Sequence, residues 1–302
     1  PMMIPDYVDN AADDSEICRI INDGNARLAT DYSARFTALG ALPMRFADHA
    51  ITELERIKRL GMRGVEINSN IDGLDLDDAR FFPIFEAAAA MNMAVFIHPW
   101  GGFMSPAEEK LKRRMHAAYN WRPWLIGMGM ETALAFDAMR SGGVHERLAN
   151  LRVLYAHGGG MFPALLGRLE HGAYSRPDLF KHASQKDAYQ TVRDCGVYVD
   201  TLTHDPFVLA MLLQALGANR IAMGSDYPYP LGEMDARGAK KLYPGHMIEH
   251  LPQSHSDMKT AWTHFHWLPR ETGDGPRDLP LLTVAQKERM LSGTAKEWLA
   301  WT

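Results

Sequence analysis

Short apolar runs alternate along the chain with longer segments whose apolar residues recur at helical spacing. The apolar runs predict six strands, at 36–44, 64–70, 94–99, 152–157, 196–201 and 220–225. The periodic segments predict helices at 11–29, 47–60, 81–91, 129–141 and 162–171, from Asp205 to Leu216, and from Thr283 to Trp301. Regular alternation of strands and helices is typical of a parallel sheet with helical crossovers. The pattern therefore predicts an α/β protein.

Three of these strands end in a polar residue that can do chemistry: His98, His157 and Asp226. A doubly wound sheet can also use six strands, but its glycine fingerprint after the first strand is missing here. In a TIM barrel the carboxyl ends of all strands meet at one rim, where active sites lie. We therefore predict a single (β/α)8 barrel domain over residues 1–302, with these six as strands 3 to 8. Two further strand–helix units, about 60 residues, are expected before Pro1.

The segment 231–282 is rich in Pro, Gly and His and has no sustained period, so it is predicted to be a long loop insertion. A lid over the barrel mouth, a subunit contact and a solvated insertion are all open alternatives. Its His264-Phe265-His266 sequence could chelate a metal, although this stretch makes a poor buried strand. His246 and His250 are four apart and could share a helix face, where we expect them to be solvated.

Composition narrows the class of partner. The formal net charge is −5 and neither end carries a basic run, so nucleic acid and anionic membrane are not expected as partners. No apolar run approaches the ~20 residues that a membrane span needs. The two cysteines, Cys18 and Cys195, have neither metal-binding nor redox spacing, which suits a reducing cytoplasm.

Each candidate residue also has a structural alternative. His98 could be a buried, hydrogen-bonded histidine, His157 could brace the backbone beside three glycines, and Asp226 could cap a turn. Taken together, two imidazoles and a carboxylate at one rim are what Zn²⁺ or a similar ion binds. They also suit acid/base chemistry beside a metal. Arg168 could be a surface charge or a clamp for an anionic substrate.

Several long motifs resemble one known family. They are HPW at 98–100, HGGGMFPALLGRLEHGAY at 157–174, GSDYPYPLGE at 224–233, GVEINSNIDGLDLDD at 64–78, PWLIGMGMETALA at 123–135 and LSGTAKEW at 291–298. In this order they resemble the amidohydrolase superfamily, and within it the branch of 2-amino-3-carboxymuconate-6-semialdehyde decarboxylase.

The resemblance implies a role for five residues. His98 and Asp226 are implied as metal ligands, and Asp226 and His157 as catalytic residues, with His157 the acid/base for a metal-bound water. Trp100 is implied beside the metal, as a substrate-binding residue. Arg168 is implied to reach the site of a neighbouring subunit and hold a substrate carboxylate, which predicts a homodimer.

Two features depart from the family pattern. The family's His-x-His pair at the end of its first strand is missing, which agrees with the two units expected upstream, and the 231–282 segment is longer than usual. The expected function is a metal-dependent, non-oxidative decarboxylase for a small unsaturated or aromatic carboxylic acid. Zn²⁺ is the favoured ion, with Mn²⁺ as the alternative. A hydrolase or hydratase on the same scaffold, or a metal-free binding barrel, are the other hypotheses.

Overall fold

The computed structural model describes residues 8–104, 109–115, 121–179, 183–233 and 243–301. Its central element is a parallel sheet in which six strands pair in chain order. The strands are β1 (Leu39–Gly40), β2 (Gly64–Asn68), β3 (Ala94–His98), β4 (Val153–Tyr155), β5 (Val197–Asp200) and β6 (Ile221–Ala222). All six predicted strands are therefore present, which confirms the α/β class. The two upstream units stay a prediction.

Helices occupy the connections between the strands. The longer ones are Ala11–Asp31, Ala47–Arg59, Phe82–Ala90, Met128–Ser141, Phe162–Ser175 and Pro206–Leu216. Shorter ones are Glu109–Met115, Val144–Arg147, Ala188–Asp194, His246–His250, Met258–Ala261, Val284–Glu288 and Thr294–Trp298. No helix within the described ranges combines the length and the apolar composition needed to cross a membrane.

Two helices begin at a residue whose side chain caps the helix. The Asp205 carboxylate accepts the Phe207 N–H at 2.7 Å, and Pro206 follows in the first turn, where its missing N–H costs nothing. Thr283 and Gln286 form a capping box, each side chain accepting the other's backbone N–H.

The two faces of the sheet bury different sets of side chains, because successive residues of a strand point to opposite sides. One face packs against the helices as the main core, with Val95, Ile97, Val153, Tyr155, Val197 and Val199. The other face, here called the inner face, carries Ala94, Leu154, Tyr198 and Ala222, and Trp298 and Leu299 of the last helical segment cover it. Continued alternation places Glu66, His98 and Asp200 on the inner face as well.

The observed strands are shorter than predicted at their ends. β1 and β6 are the edges of the described sheet, so each has one pairing partner, and each is two residues long. β4 stops at Tyr155 because His157 has φ 58°, in the left-handed region that no strand allows. At the start of β2, a Cβ on Gly64 would lie 2.5 Å from the Ala94 carbonyl oxygen, so this close backbone approach requires glycine.

The segment predicted as a loop insertion, 231–282, contributes to the core. Residues 234–242 lie outside the described part of the chain, but the remainder contains two helices and a hairpin between Glu271–Thr272 and Gly275–Pro276. Its buried apolar side chains, all in the main core cluster, are Met247, Ile248, Leu251, Ala261, Trp262, Phe265, Leu279 and Leu282. The described part of the segment is therefore not solvated throughout.

A buried histidine in this core provides a test by pH. His145 is 1% exposed, its Nε2 lies 2.7 Å from the Tyr155 hydroxyl, and burial lowers its pKa from 6.5 to about 3. Because the unfolded chain binds this proton first, the contribution of His145 to stability is complete above about pH 6.5 and is lost as the pH falls towards 3. The loss amounts to about 5 kcal/mol at most. Urea titrations of His145→Asn at several pH values should lack this acid-dependent part of the free energy of unfolding.

The matched control is His171→Asn, since His171 is exposed on the helix Phe162–Ser175. This variant should keep the pH dependence of the unsubstituted protein. Equal pH profiles for His145→Asn and His171→Asn would contradict the assignment.

Candidate active site

Three of the predicted site residues meet at the carboxyl ends of their strands. His98 is the last residue of β3, His157 lies two residues beyond β4, and Asp226 lies four residues beyond β6. One possible ligand atom from each lies within 4.8 Å of the other two. The rings of His98 and His157 are nearly perpendicular, with centroids 5.1 Å apart. The convergence expected from a barrel rim is present.

His157 is held by an unusual turn after β4. His157, Gly158, Gly159 and Gly160 all have positive φ, at 58°, 64°, 77° and 60°. A Cβ on Gly160 would lie 2.5 Å from the Gly129 carbonyl oxygen, so glycine is required there for space as well as for conformation. The turn lifts the His157 side chain out of the strand direction and towards His98.

The Asp200 carboxylate fastens this turn. Its Oδ2 accepts the His157 N–H at 2.9 Å, and its Oδ1 accepts the N–H groups of Gly158 at 2.8 Å and Leu202 at 2.9 Å. Asp200 is 7% exposed, and N–H bonds to a buried charged acceptor are stronger than neutral ones. Asp200 therefore positions the backbone that carries His157.

The chain leading to Asp226 packs against the same carboxylate. A Cβ on Gly224 would lie 2.7 Å from the Asp200 Cγ, and the Gly224 N–H donates to the Thr201 hydroxyl at 3.2 Å. Asp226 itself has φ 49°, so the backbone reverses at this residue. The glycine of the Gly224-Ser225-Asp226 sequence thus brings Asp226 close to the end of β5.

The electrostatics of the group suit a cation. Burial, with a smaller contribution from His157, lowers the pKa of His98 to about 3, so His98 is a neutral imidazole with a free lone pair. Burial also raises the pKa of Asp226, which marks a carboxylate short of compensating positive charge. A neutral imidazole beside an uncompensated carboxylate fits a divalent metal, which binds deprotonated nitrogen and oxygen donors.

A pocket of about 400 Å³ opens beside the group, with His157 and Asp226 in its wall. Its other polar side chains are Thr203 and His204. Apolar residues make up most of the lining: Trp124, Leu125, Ile126, Met128, Met161, Leu202, Val208, Met211, Leu212 and Leu231. A mainly apolar pocket with a few convergent polar groups is typical of small-molecule sites.

The two predicted substrate-binding residues, Arg168 and Trp100, are not in the lining of the pocket. Arg168 is exposed on the helix Phe162–Ser175 and is not among the residues that line the pocket. Trp100 follows β3 by two residues, and its carbonyl oxygen accepts the Asn70 side-chain amide at 2.9 Å and the Ser69 hydroxyl at 3.1 Å. Their roles in binding substrate therefore stay predictions.

Three polar residues near the group were missed from the sequence. Asp200 and His204 follow the same rule as His98, since they come at or just after the carboxyl end of β5, and that signal was available. Glu66 lies within β2, and burial raises its pKa to about 7, with the Asp226 carboxylate adding to the shift. An acid inside an apolar strand was the signal for Glu66.

Comparison with known proteins identifies the family to which the chain belongs. A family model described as "Amidohydrolase" matches residues 3–301. The chain is 41% identical over 239 residues to 2-amino-3-carboxymuconate-6-semialdehyde decarboxylase of Dictyostelium discoideum, covering 79% of this chain and 61% of that protein. The chain thus spans less than two thirds of that relative's length.

Solved structures share the fold. The 5-carboxyvanillate decarboxylase LigW of Sphingomonas paucimobilis has a TM-score of 0.75 at 22% identity, covering 100% of this chain and 78% of its own. A dihydroxybenzoic acid decarboxylase of Polaromonas sp. JS666 has a TM-score of 0.71 at 20% identity, covering 98% and 78%. These similarities confirm the TIM-barrel type of fold, and the family match over almost the whole chain shows that it belongs to the amidohydrolase family.

Proposed function

We propose that this chain forms the active site of a metal-dependent decarboxylase, which releases CO₂ from an unsaturated or aromatic carboxylic acid without oxidising it. The observation that carries the proposal is the meeting of His98, His157 and Asp226 at the wall of an apolar pocket. The Dictyostelium relative, named as a decarboxylase, supports the reaction type. Because the chain spans 61% of that relative, the activity of the whole protein is part of the proposal.

In this proposal His98 and Asp226 hold the metal. A divalent ion at this site would act as a Lewis acid and lower the pKa of a water that it binds. Zn²⁺ is favoured by histidine-rich ligation. The Polaromonas structure contains manganese, which makes Mn²⁺ the alternative.

His157 is proposed as the acid/base. Its ring lies in the pocket wall, so it can pass a proton to the carbon that bears the substrate carboxylate. The C–C bond to the carboxylate then breaks, its electron pair stays on the carbon skeleton, and CO₂ leaves. The net change is the replacement of a carboxylate by that proton, so neither oxidant nor reductant is needed.

The remaining residues bind and orient the substrate. Leu125, Ile126 and Val208 offer an apolar surface for the flat hydrocarbon part of the acid. We propose that Trp100 packs beside the metal and that Arg168, exposed on its own chain, holds a carboxylate in the pocket of a partner subunit. We further propose that the protein is a cytoplasmic homodimer. Cys18 and Cys195, both free and buried, fit a reducing compartment.

His157→Ala in the full-length protein tests the acid/base role. We expect kcat for CO₂ release to fall at least ~10²-fold, the usual scale for loss of an acid/base group. Metal content, measured by mass spectrometry of the purified protein, should be unchanged. The exposed His171 on the following helix provides the control variant, His171→Ala, which should keep full activity.

Normal turnover in His157→Ala would contradict the assignment of His157. Product analysis of the unsubstituted protein addresses the reaction class: net addition of water without CO₂ would favour the hydrolase or hydratase. A protein that holds no metal and turns over no acid would favour the scaffold hypothesis.

Asp200→Asn tests how His157 is held. The amide keeps one accepting oxygen but turns an NH₂ group towards a backbone N–H, so a buried donor loses its acceptor at a cost of about 1–3 kcal/mol. Displacement of the His157 turn should lower kcat about 10- to 100-fold with little change in KM. Asp205→Asn is the matched control, because asparagine caps a helix as well as aspartate does. Equal kcat values for the two variants would exclude a positioning role for Asp200.

Mixing two inactive variants tests the role of Arg168 across subunits. If Arg168 serves the partner's pocket, mixed dimers of Arg168→Ala and His157→Ala chains contain one intact site. Random exchange of subunits should then recover about a quarter of the unsubstituted activity, since half of the dimers are mixed. Activity that stays at the level of the separate variants after exchange, checked by mass spectrometry of the intact dimers, would show that Arg168 does not act in trans.

A further inference from the structure

A second cluster of histidines lies in the segment 231–282, which follows β6 and Asp226. His246, His250 and His264 each offer a ring nitrogen within 4.8 Å of the other two. The ring centroids of His246 and His250 are 4.0 Å apart, and those of His250 and His264 are 3.8 Å apart. Three nitrogens around a tetrahedral Zn²⁺ at 2.0–2.1 Å lie ~3.3 Å from each other, so small ring rotations would suffice to close around an ion.

One of these rings has a buried nitrogen without a partner. His246 is 7% exposed, and its Nδ1 is buried and makes no hydrogen bond to the described residues. A buried polar atom without a partner is costly, and native structures rarely leave one without a reason. A metal ion at the centre of the cluster would give this nitrogen the partner that it lacks.

The His250 ring is oriented in the manner of a metal ligand. The Nδ1 of His250 lies 2.9 Å from the His246 carbonyl oxygen, which leaves its Nε2 free to bind an ion. Ligating histidines usually donate their second ring N–H to such an oxygen, which fixes the tautomer.

The residues around the cluster fix the positions of its histidines. His246 and His250 are four apart on the helix His246–His250 and therefore share a face. The Glu233 carboxylate accepts the N–H groups of Gly245 at 2.5 Å and His246 at 3.0 Å. Close to His264 in the chain, Trp262 and Phe265 are buried, at 6% and 0% exposed.

We propose that His246, His250 and His264 form a binding site for a Zn²⁺-class transition-metal ion, separate from the His98 group. The ion joins the helix His246–His250 to the turn at Trp262–His264, so it closes a loop within the segment that follows Asp226. The fourth position of a tetrahedral ion stays open to a water. This proposal does not depend on the proposed reaction, because it involves no residue of the pocket.

His266 supplies a control that the chain itself contains. It is the second histidine of the His264-Phe265-His266 sequence, but it is exposed and does not belong to the three-histidine group. The full-length protein and its variants are loaded with Zn²⁺, dialysed and analysed for metal. We expect His250→Ala and His264→Ala each to hold one zinc per chain less than the unsubstituted protein, while His266→Ala holds the same amount.

Asp226→Ala separates the two sites, since it should lose the metal of the His98 group and keep that of the three histidines. Thermal unfolding gives a readout independent of activity. Added Zn²⁺ should raise the Tm of Asp226→Ala by about 5 °C, because the ion binds the native state, and should not raise that of the double variant Asp226→Ala/His264→Asn. Unchanged zinc content in His250→Ala and His264→Ala, or equal Tm shifts in Asp226→Ala and Asp226→Ala/His264→Asn, would overturn the proposal.

Discussion

The candidate active site depends on the Asp200 carboxylate, which accepts hydrogen bonds from three backbone N–H groups. Two of these groups, from His157 and Gly158, belong to a turn that follows a different strand. Gly224, which leads to Asp226, packs against the same carboxylate. One buried acid thus sets the position of two of the three converging residues. Because an unsatisfied buried charge is expensive, the acid and the turn stabilise each other's conformation.

The sheet determines which end of the fold is open for chemistry. Along β3, Ala94, Phe96 and His98 lie on the inner face by alternation. Trp298 covers the amino end of this face, where its ring contacts Phe96 and its indole N–H donates to the carbonyl oxygen of Arg152, just before β4. The carboxyl end is left for the pocket. The alternation of side chains along β3 that buries its apolar residues therefore also places His98 in the site.

The sequence was sufficient to predict features that depend on local pattern. A polar residue that ends an apolar run predicted His98, His157 and Asp226 as neighbours, because parallel strands bring their carboxyl ends together. The role of Asp200 could not be predicted in this way, since its partners His157 and Gly158 are 43 and 42 residues away along the chain. The early end of β4 was also hidden, because left-handed conformations at non-glycine residues such as His157 leave no mark in an apolar pattern.

The histidines of the 243–268 region show why spacing alone misleads. Residues two apart point to one side only in an extended strand, so His264-Phe265-His266 suggested a ligand pair. His264 is instead the last residue of the 3-10 helix Trp262–His264, and His266 lies in the turn after it, so the two are not on an extended strand. Helical spacing at His246 and His250 does place two rings on one face, and His264 reaches them from a separate turn. The sequence pattern can therefore predict the pair His246 and His250, but only the folded chain shows that His264 joins them.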